Sequence, residues 1–116
     1  MGAAPPQYSV EPELPERFIL EQNFPNPFNP TTTIEFFLTQ PSIVSLKVYN
    51  TLGQEVATLI DRQELDDGWN DIEMSADDYR LASGVYFYRI VAETVADEDN
   101  PVRQTYTLVK KMVLVR

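Results

Sequence analysis

The sequence predicts an all-β fold of about seven strands, an antiparallel β-sandwich, with a barrel as the alternative that strand count alone does not separate from it. Three observations carry that expectation. Short runs alternate apolar and polar residues with a period of two, as half-buried strands do. Turn residues separate the runs at intervals of roughly 8 to 15 residues, the spacing of a sandwich. No stretch has the periodicity of a long helix. The 116 residues suffice for one such domain and hardly for two, and the 43% hydrophobic content can fill its core.

Residues 1–16 hold Pro5, Pro6, Pro12 and Pro15 among small and acidic residues. They read as an extended linker or a tail, and the sandwich is assigned to residues 17–116. Arg17 to Gln22 is expected to be a short first strand. Thr31 to Leu38 alternates cleanly, with Thr32, Ile34, Phe36 and Leu38 on one face. Ser42 to Asn50 does the same with Val44, Leu46 and Val48. The break at Gln40-Pro41-Ser42 predicts that these two strands follow one another antiparallel.

A turn at Asn50-Thr51-Leu52-Gly53, with Gly53 free to take positive φ, leads to a strand over Glu55 to Ile60. Asp61 to Asp67 reads as a polar connection ending in the turn dipeptide Asp67-Gly68. Trp69 to Met74 follows, with Ile72 and Met74 inward, and Ser75 is placed to cap a single helical turn. After Ser83-Gly84, Val85 to Glu93 is apolar on both faces, which suits a central strand. Val95 to Pro101 is an exposed acidic loop, and Arg103 to Val115 a long closing strand.

Asn23 to Thr32 fits none of these patterns. Pro25, Pro27 and Pro30 each fix φ at about −65° and remove an amide donor. Asn26 and Asn29 stand before prolines, an arrangement that starts turns. Phe24 and Phe28 are too apolar for a solvated linker. They are expected to pin a rigid corner to the core.

Composition excludes several classes of function. The net charge of −9, from 18 acidic and 9 basic residues, opposes nucleic-acid binding. The chain has no cysteine and no histidine, so thiol chemistry is excluded and the commonest general base and zinc ligand are missing. No apolar run approaches the roughly 18 residues of a membrane span. The start lacks the basic and apolar regions of a secretory signal, and the chain reads as a piece of something longer. Asp97-Glu98-Asp99-Asn100 has consecutive carboxylates and no sharp-turn glycine, so it reads as solvated charge rather than a calcium loop. A non-enzyme without a cofactor is expected. Trp69, Tyr79, Tyr86, Tyr88 and Tyr106 leave a carbohydrate-binding accessory domain as the alternative, and a passive spacer as a third reading.

Four motifs in order resemble one family. They are the corner from Asn23 to Thr32, then Leu46-Lys47-Val48-Tyr49-Asn50-Thr51-Leu52-Gly53-Gln54-Glu55-Val56, then Leu81-Ala82-Ser83-Gly84-Val85-Tyr86-Phe87-Tyr88, and the closing Lys110 to Arg116. Together they look like the C-terminal sorting domains of type IX secretion cargo, themselves similar to the immunoglobulin-like module of the flagellar hook-capping protein. The resemblance implies an immunoglobulin-like sandwich. It also implies a non-catalytic signal that directs an N-terminal passenger through the periplasm and outer membrane to the cell surface. The implied partner is the outer-membrane secretion machinery. The loop from Glu93 to Arg103 is longer and more acidic than the hairpin such a domain would have.

The charge pattern adds a candidate docking element. Glu55 to Asp78 is acidic apart from Arg62, whereas every charged residue after Asp99 is basic. A terminal edge strand offers unpaired backbone groups to which another protein can add a strand. Lys110, Lys111, Met112, Val113, Leu114, Val115 and Arg116 are therefore the expected partner-docking residues. Phe24, Pro25, Asn26, Pro27, Phe28, Asn29, Pro30, Gly53 and Gly84 are expected to be structural.

Overall fold

A computed structural model describes residues 17–116, and the linker assigned to residues 1–16 lies outside them. The strands are β1 (Ile19–Leu20), β2 (Thr31–Leu38), β3 (Ser42–Tyr49), β4 (Glu55–Leu65), β5 (Gly68–Ser75), β6 (Gly84–Thr94) and β7 (Thr105–Leu114). All pair antiparallel, in a three-stranded sheet of order β1-β2-β5 and a four-stranded sheet of order β4-β3-β6-β7. The fold is an all-β sandwich.

The alternating residues face where their period sends them. Thr32, Ile34, Phe36 and Leu38 of β2 and Val44, Leu46 and Val48 of β3 are buried between the sheets. β2 and β3 are not partners, however: the chain crosses at Gln40-Pro41 from one sheet to the other, and β2 pairs with β5 along its whole length. Both strands must bury a face, and opposing sheets satisfy that as well as a hairpin does. β6 lies between β3 and β7, the central position its composition implied. Tyr86 of β6 donates its hydroxyl to the Ala82 carbonyl four residues upstream, at 2.6 Å. That contact has the form of the tyrosine corner seen in immunoglobulin-type sandwiches, a hydroxyl bonded to the backbone a few residues upstream.

Two boundaries differ from expectation. β1 covers only Ile19–Leu20, because the corner takes over soon after it. β4 runs through the polar Asp61-Arg62-Gln63-Glu64 to Leu65, since those residues lie exposed on an edge strand where polarity costs nothing. The single helical turn is present as a 3₁₀ turn at Ala76–Tyr79, where the Ser75 hydroxyl accepts the Asp77 amide.

The corner is pinned by one phenylalanine, not two. Phe28 is 1% exposed and part of the core, whereas Phe24 is 79% exposed. Phe24 is held by its backbone alone, exchanging two 2.9 Å hydrogen bonds with Thr33. Phe28→Ala is therefore expected to cost about 3–5 kcal/mol. Phe24→Ala should change stability by no more than about 0.5 kcal/mol. Equilibrium urea unfolding of the two variants checks both values.

Candidate functional site

The corner and the outer edge of β7 form one assembly. Antiparallel pairing with β6 consumes the backbone groups of alternate β7 residues and turns those of Thr105, Thr107, Val109, Lys111 and Val113 outward. At the C-terminal half the corner occupies that edge. Phe28 donates its amide to the Val113 carbonyl at 2.9 Å, and its own carbonyl accepts the Val115 amide at 3.0 Å. The side-chain oxygen of Asn26 accepts the Val113 amide at 2.9 Å, and Gln22 Nε2 donates to the Lys111 carbonyl at 2.6 Å. Phe28 and Leu114 form a parallel bridge.

Arg116 continues the seal. Its backbone amide reaches Ser83 Oγ at 2.9 Å, its Nε the Leu81 carbonyl at 2.8 Å, and its Nη1 the Asp77 carboxylate at 2.7 Å. The seven expected docking residues thus divide. Met112 and Leu114 are core, Val113 and Val115 are backbone partners of the corner, and Arg116 is tied back across Leu81–Ser83. Lys110 and Lys111 have exposed side chains. Further upstream, the outward backbone groups of Thr105, Thr107 and Val109 have no partner among the described residues. A shallow groove lies beside them, between Phe18–Glu21 on one side and Leu108–Lys110 on the other. Tyr106 of β7 stacks on Phe18 across the edge at 4.2 Å between ring centres.

Tyr88 of β6 anchors the other end of the corner. Its buried hydroxyl donates to the Glu21 carbonyl at 2.7 Å and accepts the Asn23 amide at 2.8 Å. Asn23 is itself buried; its Nδ2 donates to Thr32 Oγ1 at 3.0 Å and to the Pro25 carbonyl at 3.2 Å. Burial pushes the Tyr88 hydroxyl up to about 12; the Asn23 amide opposes the shift, and the charge of Glu21 adds to it. Nothing in the sequence marked Tyr88 as more than one aromatic among several.

Of the positions expected to be structural, Gly53 closes the turn after β3 at φ +80°, and Gly84 opens β6 beside the Tyr86 ring. The aromatic residues weighed for sugar stacking do not gather on one exposed face. Tyr86 and Tyr88 are buried, Trp69 packs edge-on against Phe37 outside the three-stranded sheet, and Tyr106 sits at the β1–β7 edge. These five residues form no exposed stacking platform, because Tyr86 and Tyr88 are covered by the core and Trp69 belongs to the other sheet.

Residues 22–98 match the family model of the secretion system C-terminal sorting domain, well over half of the chain. The chain belongs to that family, the sorting domains of type IX secretion. No curated protein matches it. The matched span includes the corner, the β3–β4 turn and the start of β6; the sorting domain's β7 lies beyond it. A sorting domain of this family acts as a secretion signal, which entails contact with a secretion system and export by it.

The Tyr88 hydroxyl gives the domain an alkaline limb. Its folded value near 12 lies above the ordinary tyrosine value of about 10. The folded state therefore favours the protonated form. This contribution is complete below about pH 10 and is lost as pH rises toward about 12. Tyr88→Phe should lower stability at pH 7 by about 1–3 kcal/mol, because the Asn23 amide and Glu21 carbonyl lose their partner. It should also flatten the decline between pH 10 and pH 12, read by thermal unfolding of both proteins across that range.

Proposed function

We propose that this sorting domain carries a passenger joined to its N-terminal side across the outer membrane to the cell surface, and that it does so as a folded, non-catalytic shape. The machinery reads β7. The observation that carries this reading is the division of the β7 edge: its last residues are closed by the corner, while Thr105, Thr107 and Val109 keep outward backbone groups without a described partner, next to exposed Lys110 and Lys111. Strand addition at an edge supplies affinity through main-chain hydrogen bonds. The two lysines hold off other copies of the chain, whose edges carry the same lysines and whose net charge of −9 also repels. Lys110 to Arg116 then serve as one element with two duties, the lysines for contact and the remainder for locking the strand in place.

The test fuses the full chain behind a reporter in hosts with and without the secretion system. Export is expected only where the system is present. Replacing Lys110 and Lys111 together by Glu, or Thr107 by Pro to remove an outward amide, should cut the exported fraction severalfold. Thermal midpoints of the purified variants should stay close to the parent, since neither change touches the core or the β6 ladder. Undiminished export of both variants would refute docking through β7 while leaving the family role intact.

A further inference from the structure

Away from the β7 edge, a cleft of about 270 Å³ opens on the outer face of the four-stranded sheet, lined by Ser45, Lys47, Asp61, Arg62, Arg89 and Val91. Its construction is unusual for a strongly acidic protein. Lys47 of β3 stands directly opposite Arg89 of β6, a like-charge pairing that destabilises a sheet. A third cation arrives through a bulge. The register of β3 against β4 slips between Val44 and Leu46, so that Asp61 and Arg62 lie across from Ser45. Arg62 takes φ +45°, a conformation that glycine or asparagine adopts more readily. In that conformation its amide donates to Ser45 Oγ at 3.2 Å, and its guanidinium is carried toward Glu93 of β6, 3.9 Å away.

We propose that this cleft is a binding site for a phosphate monoester, held by Lys47, Arg62 and Arg89 with the Ser45 hydroxyl as a fourth donor. Lys and Arg side chains only donate, and guanidinium groups meet phosphate oxygens two at a time. Ser45 Oγ accepts from the backbone, which leaves its hydrogen for a ligand. The present partners of the cations are easily exchanged. Lys47 meets the exposed Glu55 at 3.1 Å and Arg62 meets Glu93 at the longer distance already given, and exposed pairs of this kind hold weakly. Arg89 is held by a neutral group: it donates to the Tyr49 hydroxyl at 2.6 Å and lies 4.8 Å from the ring centre. Asp61 is the one carboxylate in the lining, against three cations, while Glu55 and Glu93 stand just outside it as the partners of Lys47 and Arg62, and Glu93 is shared with Arg103 at 3.1 Å. A second recess of about 320 Å³, lined in part by Tyr49 and Phe87, shares Arg89 and gives room for the organic half of the ester.

Amide NMR of the isotopically labelled full chain tests the site with glycerol 3-phosphate, inorganic phosphate and acetate at matched ionic strength. Saturable shifts at Ser45, Arg62 and Arg89 with glycerol 3-phosphate, and none with acetate at the same concentration, are the expected result. Arg62→Gly and Arg89→Gln should each weaken binding by about tenfold. Because Arg62→Gly also relieves the backbone, its thermal midpoint should equal or exceed the parent's, which separates lost binding from lost folding. Co-sedimentation with phosphatidylcholine vesicles, with and without phosphatidic acid, distinguishes the source: retention only with phosphatidic acid assigns a lipid headgroup, and binding of glycerol 3-phosphate without retention assigns a soluble ester. Absence of saturable shifts, an equal response to acetate, or unchanged binding in both variants would each overturn the proposal.

Discussion

The backbone of Phe28 is the constraint on which the sandwich closes. A segment with Pro25, Pro27 and Pro30 has lost three amide donors and cannot build a ladder of its own. The backbone groups it keeps are spent where they join separate elements. Phe24 bonds to β2, Phe28 bonds to β7, and the Pro30 carbonyl accepts the amide of Ala76 at the 3₁₀ turn. The buried Phe28 ring fills the core at the same point where its main chain seals an edge. At the corner's start, the Tyr88 hydroxyl bridges two backbone groups from inside the core. The described residues contain no buried side-chain polar atom without a partner, and the buried Asn23 and Thr32 side chains at the corner are bonded to each other and to the Pro25 carbonyl.

Much of this was legible because strand alternation is a local signal. Thr32 to Leu38 and Val44 to Val48 declared their buried faces through a period of two, and Ser75 declared a cap through its own side chain. Pairing is not local. The step at Gln40-Pro41 looks the same whether the chain folds back into a hairpin or crosses to the facing sheet, and β2 took the distant β5 as its partner. Phe24 and Phe28 were indistinguishable for a related reason: both are phenylalanines flanked by prolines, and only the position of β7 decides which ring is covered. Asp61 to Leu65 hid a strand because an edge strand need not be apolar to be paired.

The terminal strand resolves a conflict between two demands. A partner that adds a strand needs free backbone groups, and a stable domain needs its edges covered. β7 meets both by dividing along its length. Downstream of Lys111 the corner supplies hydrogen bonds that a neighbouring strand would otherwise make, and Met112 and Leu114 anchor the segment in the core. Upstream the same strand stays exposed on its outer side, with only β1 nearby across the sheet opening. A rigid half therefore holds an accessible half in register, and under the proposed docking a recognising protein would meet a preformed edge with little ordering left to do.

The two outer faces differ in what their side chains offer. The three-stranded sheet shows Glu35 paired with Asp71 and Thr33 paired with Glu73, while the four-stranded sheet shows Lys47 against Arg89 and Phe87 against Lys111. Among the described residues, two other than glycine sit at positive φ, and they do so for different reasons. Arg80 ends the 3₁₀ turn, where a left-handed residue lets the backbone amide reach back to the turn's carbonyls. Arg62 ends nothing. It lies inside β4, where such a conformation carries a penalty of about 1–2 kcal/mol that packing does not recover, because the side chain is exposed. The positive φ has its structural cause in the β-bulge that sets Asp61 and Arg62 across from Ser45, and the bulge in turn makes something available at the surface. Here that is a guanidinium turned over the central strands, beside the one pair of like charges that the sheet sets face to face.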